Sequence, residues 1–137
     1  MKNPYILMVE YDKDDQYITL EYFNNAGIPV KILEESDELF HELSRCTESN
    51  RTLPALILVS FYTGPIGTRD TLLKLKQHPV YNHIPVVVLS ETADEARIKD
   101  AYSCGASSFI RKPALVEETN KKIHNFLAYW FNTVELA

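Results

Sequence analysis

Short runs of apolar, largely β-branched residues alternate with stretches of helical periodicity, and this alternation constrains the fold more than any other feature. Tyr5 to Val9, Ala55 to Val59, Pro85 to Leu89 and Ser108 to Ile110 are the clear runs, and Val30 to Leu33 is a weaker one. Runs this short, without strict apolar–polar alternation, predict strands covered on both faces, as in a parallel sheet. Between them, residues 14–26 place Ile18, Tyr22 and Phe23 on one stripe, with Gly27 as a stop. Residues 37–46 carry Leu39, Phe40 and Leu43, with Ser36 placed to cap, and residues 69–77 carry Leu72, Leu73 and Leu75. Thr92 to Glu95 fits a capping box that opens a helix running to Gly105. A last helix is predicted over 115–131, with Ile123, Phe126, Leu127 and Trp130 on one face.

Five strand–helix alternations predict a doubly wound α/β domain: a five-stranded parallel sheet between two layers of helices, five in all. The chain of 137 residues is expected to form one such domain, 1–137. Hydrophobic residues at 45% and charged residues at 24% exclude a disordered tail, a collagen-like fibre and a coiled coil. The net charge of −5 gives no electrostatic footprint for a phosphate backbone, so nucleic acid is not an expected partner. The longest apolar run, Ile84 to Leu89, falls far short of the about 20 residues that a membrane helix needs, so no membrane association is expected. The N-terminal run is too short for a signal peptide. Cys46 and Cys104 have no metal-ligand spacing and are expected to be reduced thiols in a cytoplasmic protein.

In open parallel sheets, chemistry gathers at the carboxyl ends of the strands. The residues there are Glu10, Tyr11 and Asp12; Glu34 and Glu35; Ser60 and Phe61; Ser90; and Lys112. His41, His78, His83 and His124 are scattered and predicted to lie at the surface. The sequence has no Gly-x-Ser-x-Gly elbow, phosphate loop or dinucleotide fingerprint, which argues against a hydrolase or nucleotide binder on this scaffold.

Four of these segments, in order, resemble the receiver domain of two-component response regulators. Ile6 to Asp15 is similar to that family's first strand and acidic turn. Pro54 to Ser60 is similar to its third strand, ending at the phosphoacceptor position. His83 to Ser90 resembles the fourth strand with its switch hydroxyl, and Gly105 to Pro113 resembles the fifth strand with its Lys-Pro end. The ending, Tyr129 to Leu136, resembles the small regulators that partner bacterial phytochromes. The resemblance implies a flavodoxin-like fold and phosphoryl transfer from a phosphohistidine to an aspartate, with Mg²⁺ held by that aspartate and two acids after the first strand. Lys112, Ser90 and the switch aromatic Phe109 stand at the family's supporting positions.

The sequence departs from the pattern at its centre. Ser60 stands at the acceptor position, and Glu10 is followed by Tyr11 in place of a second acid. Gly64 stands where a proline is usual, with Pro65 one place late. Mg²⁺ binding is therefore expected to be weak or lost, and no cofactor is expected. The primary expectation is a non-enzymatic module that cannot accept a phosphoryl group in the usual way. It would act by protein–protein contact with a sensor histidine kinase or another signalling protein. The alternative is an active phosphorelay receiver that uses Ser60 or a nearby aspartate as acceptor.

Several side chains carry paired expectations. The Tyr11 ring plugs the pocket or points to solvent. Asp12 caps the first helix or substitutes as a metal ligand. Lys112 is expected to pair with Glu10 or hydrogen-bond Ser60, because an unpaired buried ammonium is costly. Ser90 is a switch hydroxyl or a strand-end cap, and Asp94 to Arg97 is expected to be a solvated helix start. Tyr129, Trp130 and Phe131 exceed what one helix face needs, and the family commonly dimerises there, so a homodimer through the last two helices and the fifth strand is expected.

Overall fold

Strands and helices alternate along the whole of the described chain in the computed structural model, which describes residues 4–61, 67–91 and 94–111, the Tyr22 side chain apart. The elements are β1 (Ile6–Val9), α1 (Lys13–Asn25), β2 (Val30–Leu33), α2 (Ser36–Glu48), β3 (Leu56–Ser60), α3 (Thr68–Gln77), β4 (Val86–Ser90), α4 (Glu95–Ser103) and β5 (Ser108–Arg111). The strands form one parallel sheet in the order β2-β1-β3-β4-β5. This is the flavodoxin-like arrangement expected. The helix expected over 115–131, with its aromatic tail, and Thr92, Lys112 and His124 lie outside the described residues.

The core divides into two layers because successive strand side chains face opposite ways. Leu7, Val9, Ile57, Val59, Val86 and Val88 meet Leu39 and Leu43 of α2, Leu72 and Leu75 of α3, and Ala101 of α4. Ile6, Met8, Leu56, Leu58 and Val87 meet Phe23 of α1 on the other face. Every residue of β1 and β3 is buried. Burial on both faces, at about 1.5–3 kcal/mol for each large apolar side chain, explains why those strands need no alternation. The edge strands differ: Lys31 of β2 and Arg111 of β5 are exposed, and such charges discourage pairing with another sheet.

Three helices stop by the same device. At the end of α1 the Ile28 amide donates to the Phe23 carbonyl and Gly27 takes φ +77°. At the end of α4 the Ala106 amide donates to the Ala101 carbonyl and Gly105 takes φ +110°. In α2 the Arg51 amide donates to the Cys46 carbonyl, and Asn50 supplies the left-handed residue at φ 54°. Two helix starts correct the sequence expectation. The cap of α2 is Glu35, in extended conformation, and Ser36 is the first helical residue. The cap of α4 is Asp94, whose carboxylate accepts from the Arg97 amide at 2.8 Å. Cys46 and Cys104 are buried free thiols.

Candidate functional site

The sheet places the strand-end residues side by side. Val9 pairs with Val59, so Glu10 and Ser60 stand at neighbouring carboxyl ends, at the point where the strand order reverses. Ser60 pairs with Leu89, which brings Ser90 to the same edge. Glu10 is 2% exposed, Ser60 4% and Ser90 2%. Three buried polar side chains thus close one end of an otherwise apolar sheet. Burying such groups without partners is costly, and no described buried side-chain oxygen or nitrogen lacks a hydrogen bond.

Glu10 fixes the first turn after β1. Its Oε2 accepts from the Asp12 amide at 3.3 Å, and its backbone carbonyl accepts from the Gln16 side-chain amide at 2.6 Å. Gln16 is not among the strand-end residues read from the sequence; its place one turn into α1 is the signal that points to it. Asp12 is exposed, and its Oδ1 accepts from the Asp15 amide at 3.0 Å. That is helix capping, the plainer of the two readings. Tyr11 is 65% exposed, so its ring does not plug the pocket.

Arg97 corrects the expectation of a solvated helix start. Its guanidinium carbon lies 4.0 Å from the centroid of the Phe61 ring, and Nη1 lies 3.5 Å from Ser90 Oγ. Its side chain is two-thirds buried. The signal available in the sequence was its place in the first turn of the helix after β4, a position that faces the carboxyl edge of the sheet. Phe109 is half-buried against the α2–α4 layer, and its amide donates to the Tyr102 hydroxyl at 3.1 Å. Glu34 pairs with Lys13 at the rim. Of the histidines, His41 and His83 are exposed, and His78 is half-buried and stacked on Tyr81.

The donor set can be weighed against the Mg²⁺ that the resemblance implies. A hard divalent cation takes six or so oxygen ligands, with carboxylates carrying most of the charge compensation. Here Glu10 is bonded to the turn, Tyr11 offers no carboxylate, Asp12 caps α1 and Ser60 offers a neutral hydroxyl. Among the described residues, no group of three His, Cys, Asp or Glu side chains is placed to hold a metal. These residues do not fit a resident divalent cation.

No protein-family model matches the chain. The response regulator Rcp1 of Synechocystis is 27% identical over 134 residues, covering 96% of this chain and 91% of that protein. The phosphorylated cyanobacterial phytochrome response regulator RcpA superposes with a TM-score of 0.88 at 26% identity, covering 98% of each chain. The Mn²⁺-bound form of Rcp1 superposes with a TM-score of 0.86 at 24% identity, covering 98% of this chain and 99% of that one. No described helix is long and apolar enough to cross a membrane. Near-complete coverage in both directions, close superposition and likeness in sequence lead to one conclusion: the chain is a two-component response-regulator receiver domain, similar to the phytochrome response regulators Rcp1 and RcpA.

Proposed function

We propose that this receiver domain does not take up a phosphoryl group on the usual carboxylate and works by protein–protein contact. The observation that supports this is the donor set at the carboxyl edge of β1 and β3: one buried carboxylate, Glu10, beside the Ser60 hydroxyl, with Tyr11 turned to solvent. Phosphoryl transfer draws on positioning and charge neutralisation more than on covalent help from the protein. With the metal-holding acids reduced to one, the neutralising charge is missing. A serine hydroxyl is also a weak nucleophile unless a base activates it.

The partners that fit a receiver of this kind are a sensor histidine kinase, another signalling protein or a second copy of the chain. The relatives named above, one solved phosphorylated and one with Mn²⁺ bound, define what the departure is measured against. The domain's role is then recognition, without catalysis of its own.

The test is a titration of the ¹⁵N-labelled protein with Mg²⁺ and beryllofluoride, an analogue of the phosphoryl group. The expected spectrum is unchanged at the Glu10, Ser60 and Ser90 amides. Saturable shifts at those three amides would refute the proposal.

A further inference from the structure

Helix α4 has a thin apolar anchor. Ala101 is its one fully buried residue, and Ala106 and Cys104 join the core just beyond it. A buried methyl group removes little apolar surface from water. Beyond these and the half-buried Ile98, polar attachments hold the helix. At its far end the Tyr102 hydroxyl accepts from the Phe109 amide of β5, and Asp100 pairs with Arg69 of α3. At its start Arg97 lies over Phe61, just past β3, and reaches Ser90, the last residue of β4. A guanidinium can stack face-on against a ring while its N–H groups point sideways to a hydroxyl, which an ammonium cannot do. Asp94 caps the helix, and its other carboxylate oxygen lies 3.8 Å from Arg97 Nε, a long contact of a 59% exposed side chain that solvent screens.

We infer that Arg97 is a latch: it joins the start of α4 to the ends of β3 and β4, and holds Ser90 and the helix in one arrangement that a partner reads. This rests on the reading that Ser60 receives no phosphoryl group, since a fixed arrangement is informative only where no acceptor chemistry resets it. Arg97 acts here through Ser90 and Phe61, as a positioning residue.

Amide hydrogen exchange on the full chain, with no phosphodonor present, tests the latch separately from the reading beneath it. Arg97→Ala is expected to speed exchange of the Ile98 to Ser103 amides about tenfold and to broaden the Ser90 and Phe61 signals, with α1 and α2 unchanged. Phe61→Leu leaves every α4 side chain in place and is expected to reproduce that signature. Asp94→Asn keeps the cap but removes the charge facing Arg97, and is expected to leave α4 exchange unaltered. Unchanged α4 exchange in Arg97→Ala overturns the latch. So does an Asp94→Asn protein that behaves like Arg97→Ala, because the role of Arg97 would then be confined to its own helix. The Asp94→Asn arm decides the matter even if Phe61→Leu does not fold.

Discussion

Asp12 Oδ1 accepts a hydrogen bond from the Asp15 amide, and the amide of Asp12 itself donates to Glu10 Oε2. The two bonds make residues 10–15 a closed turn in which Asp12 serves the helix. Asp12→Ala is expected to lower unfolding stability by about 1 kcal/mol in a denaturant titration, and Asp12→Asn by a few tenths at most, since Asn caps as well as Asp. Neither change should alter the effect of Mg²⁺ on stability. A wild-type protein that Mg²⁺ stabilises, and an Asp12→Asn variant that it does not, would assign the carboxylate to a metal instead.

On the proposed reading, the edge of the sheet gains phosphoryl chemistry when carboxylates are placed at positions 11 and 60. Ser60→Asp combined with Tyr11→Asp is expected to gain one phosphoryl group from acetyl phosphate, and only with Mg²⁺ present. Intact mass reads the gain. An inert double variant would show that the remaining positions, among them Ser90 and Lys112, no longer support transfer.

Glu42 lies under the edge strand, its side chain 8% exposed, with Lys31 Nζ at 2.8 Å from Oε1 and Arg45 Nη1 at 3.5 Å from Oε2. The Lys31 hydrogen bond first, and then the nearby positive charges, hold its carboxyl below the usual range against the opposing effect of burial. A group with a depressed folded-state pKa contributes stability above its unfolded value, and loses that contribution as the pH falls through the folded one. The wild-type protein should therefore lose stability below about pH 4.5, and Glu42→Gln should flatten that limb while costing about 1 kcal/mol at neutral pH. Acid limbs of equal slope in the two proteins would remove Glu42 from the account.

Gly105 combines two constraints. Its φ of +110° disfavours any side chain, and a Cβ there would run into the stem of Lys76. That lysine has little room to yield, because its Nζ donates to the Asn82 and Ile84 carbonyls at 3.2 and 3.0 Å. Gly105→Ala should cost on the order of 2 kcal/mol in thermal or denaturant unfolding. The same change at Gly27, where the space is open, should cost less. Equal losses at both sites would leave the Lys76 contact without a role.

The strands were legible because their burial is two-sided: Leu56 to Val59 and Val86 to Val88 have no solvent face for polar residues to mark. Helix starts were less legible. Glu35 and Ser36, like Thr92 and Asp94, are adjacent or near-adjacent polar residues, and local chemistry does not choose between them. The structure caps α2 at Glu35 and α4 at Asp94. At the site, Glu10, Ser60 and Ser90 followed from strand ends, while the outward turn of Tyr11 depends on which neighbour the pocket draws in. The role of Arg97 is not legible in the sequence, because its contact with Phe61 joins two segments far apart in the chain and no local pattern encodes that meeting.

The most direct measurement is the intact mass of the wild-type chain after incubation with acetyl phosphate and Mg²⁺. An unchanged mass is the predicted result. A gain of one phosphoryl group, mapped to Ser60 or to any aspartate at the strand ends, would contradict the central claim.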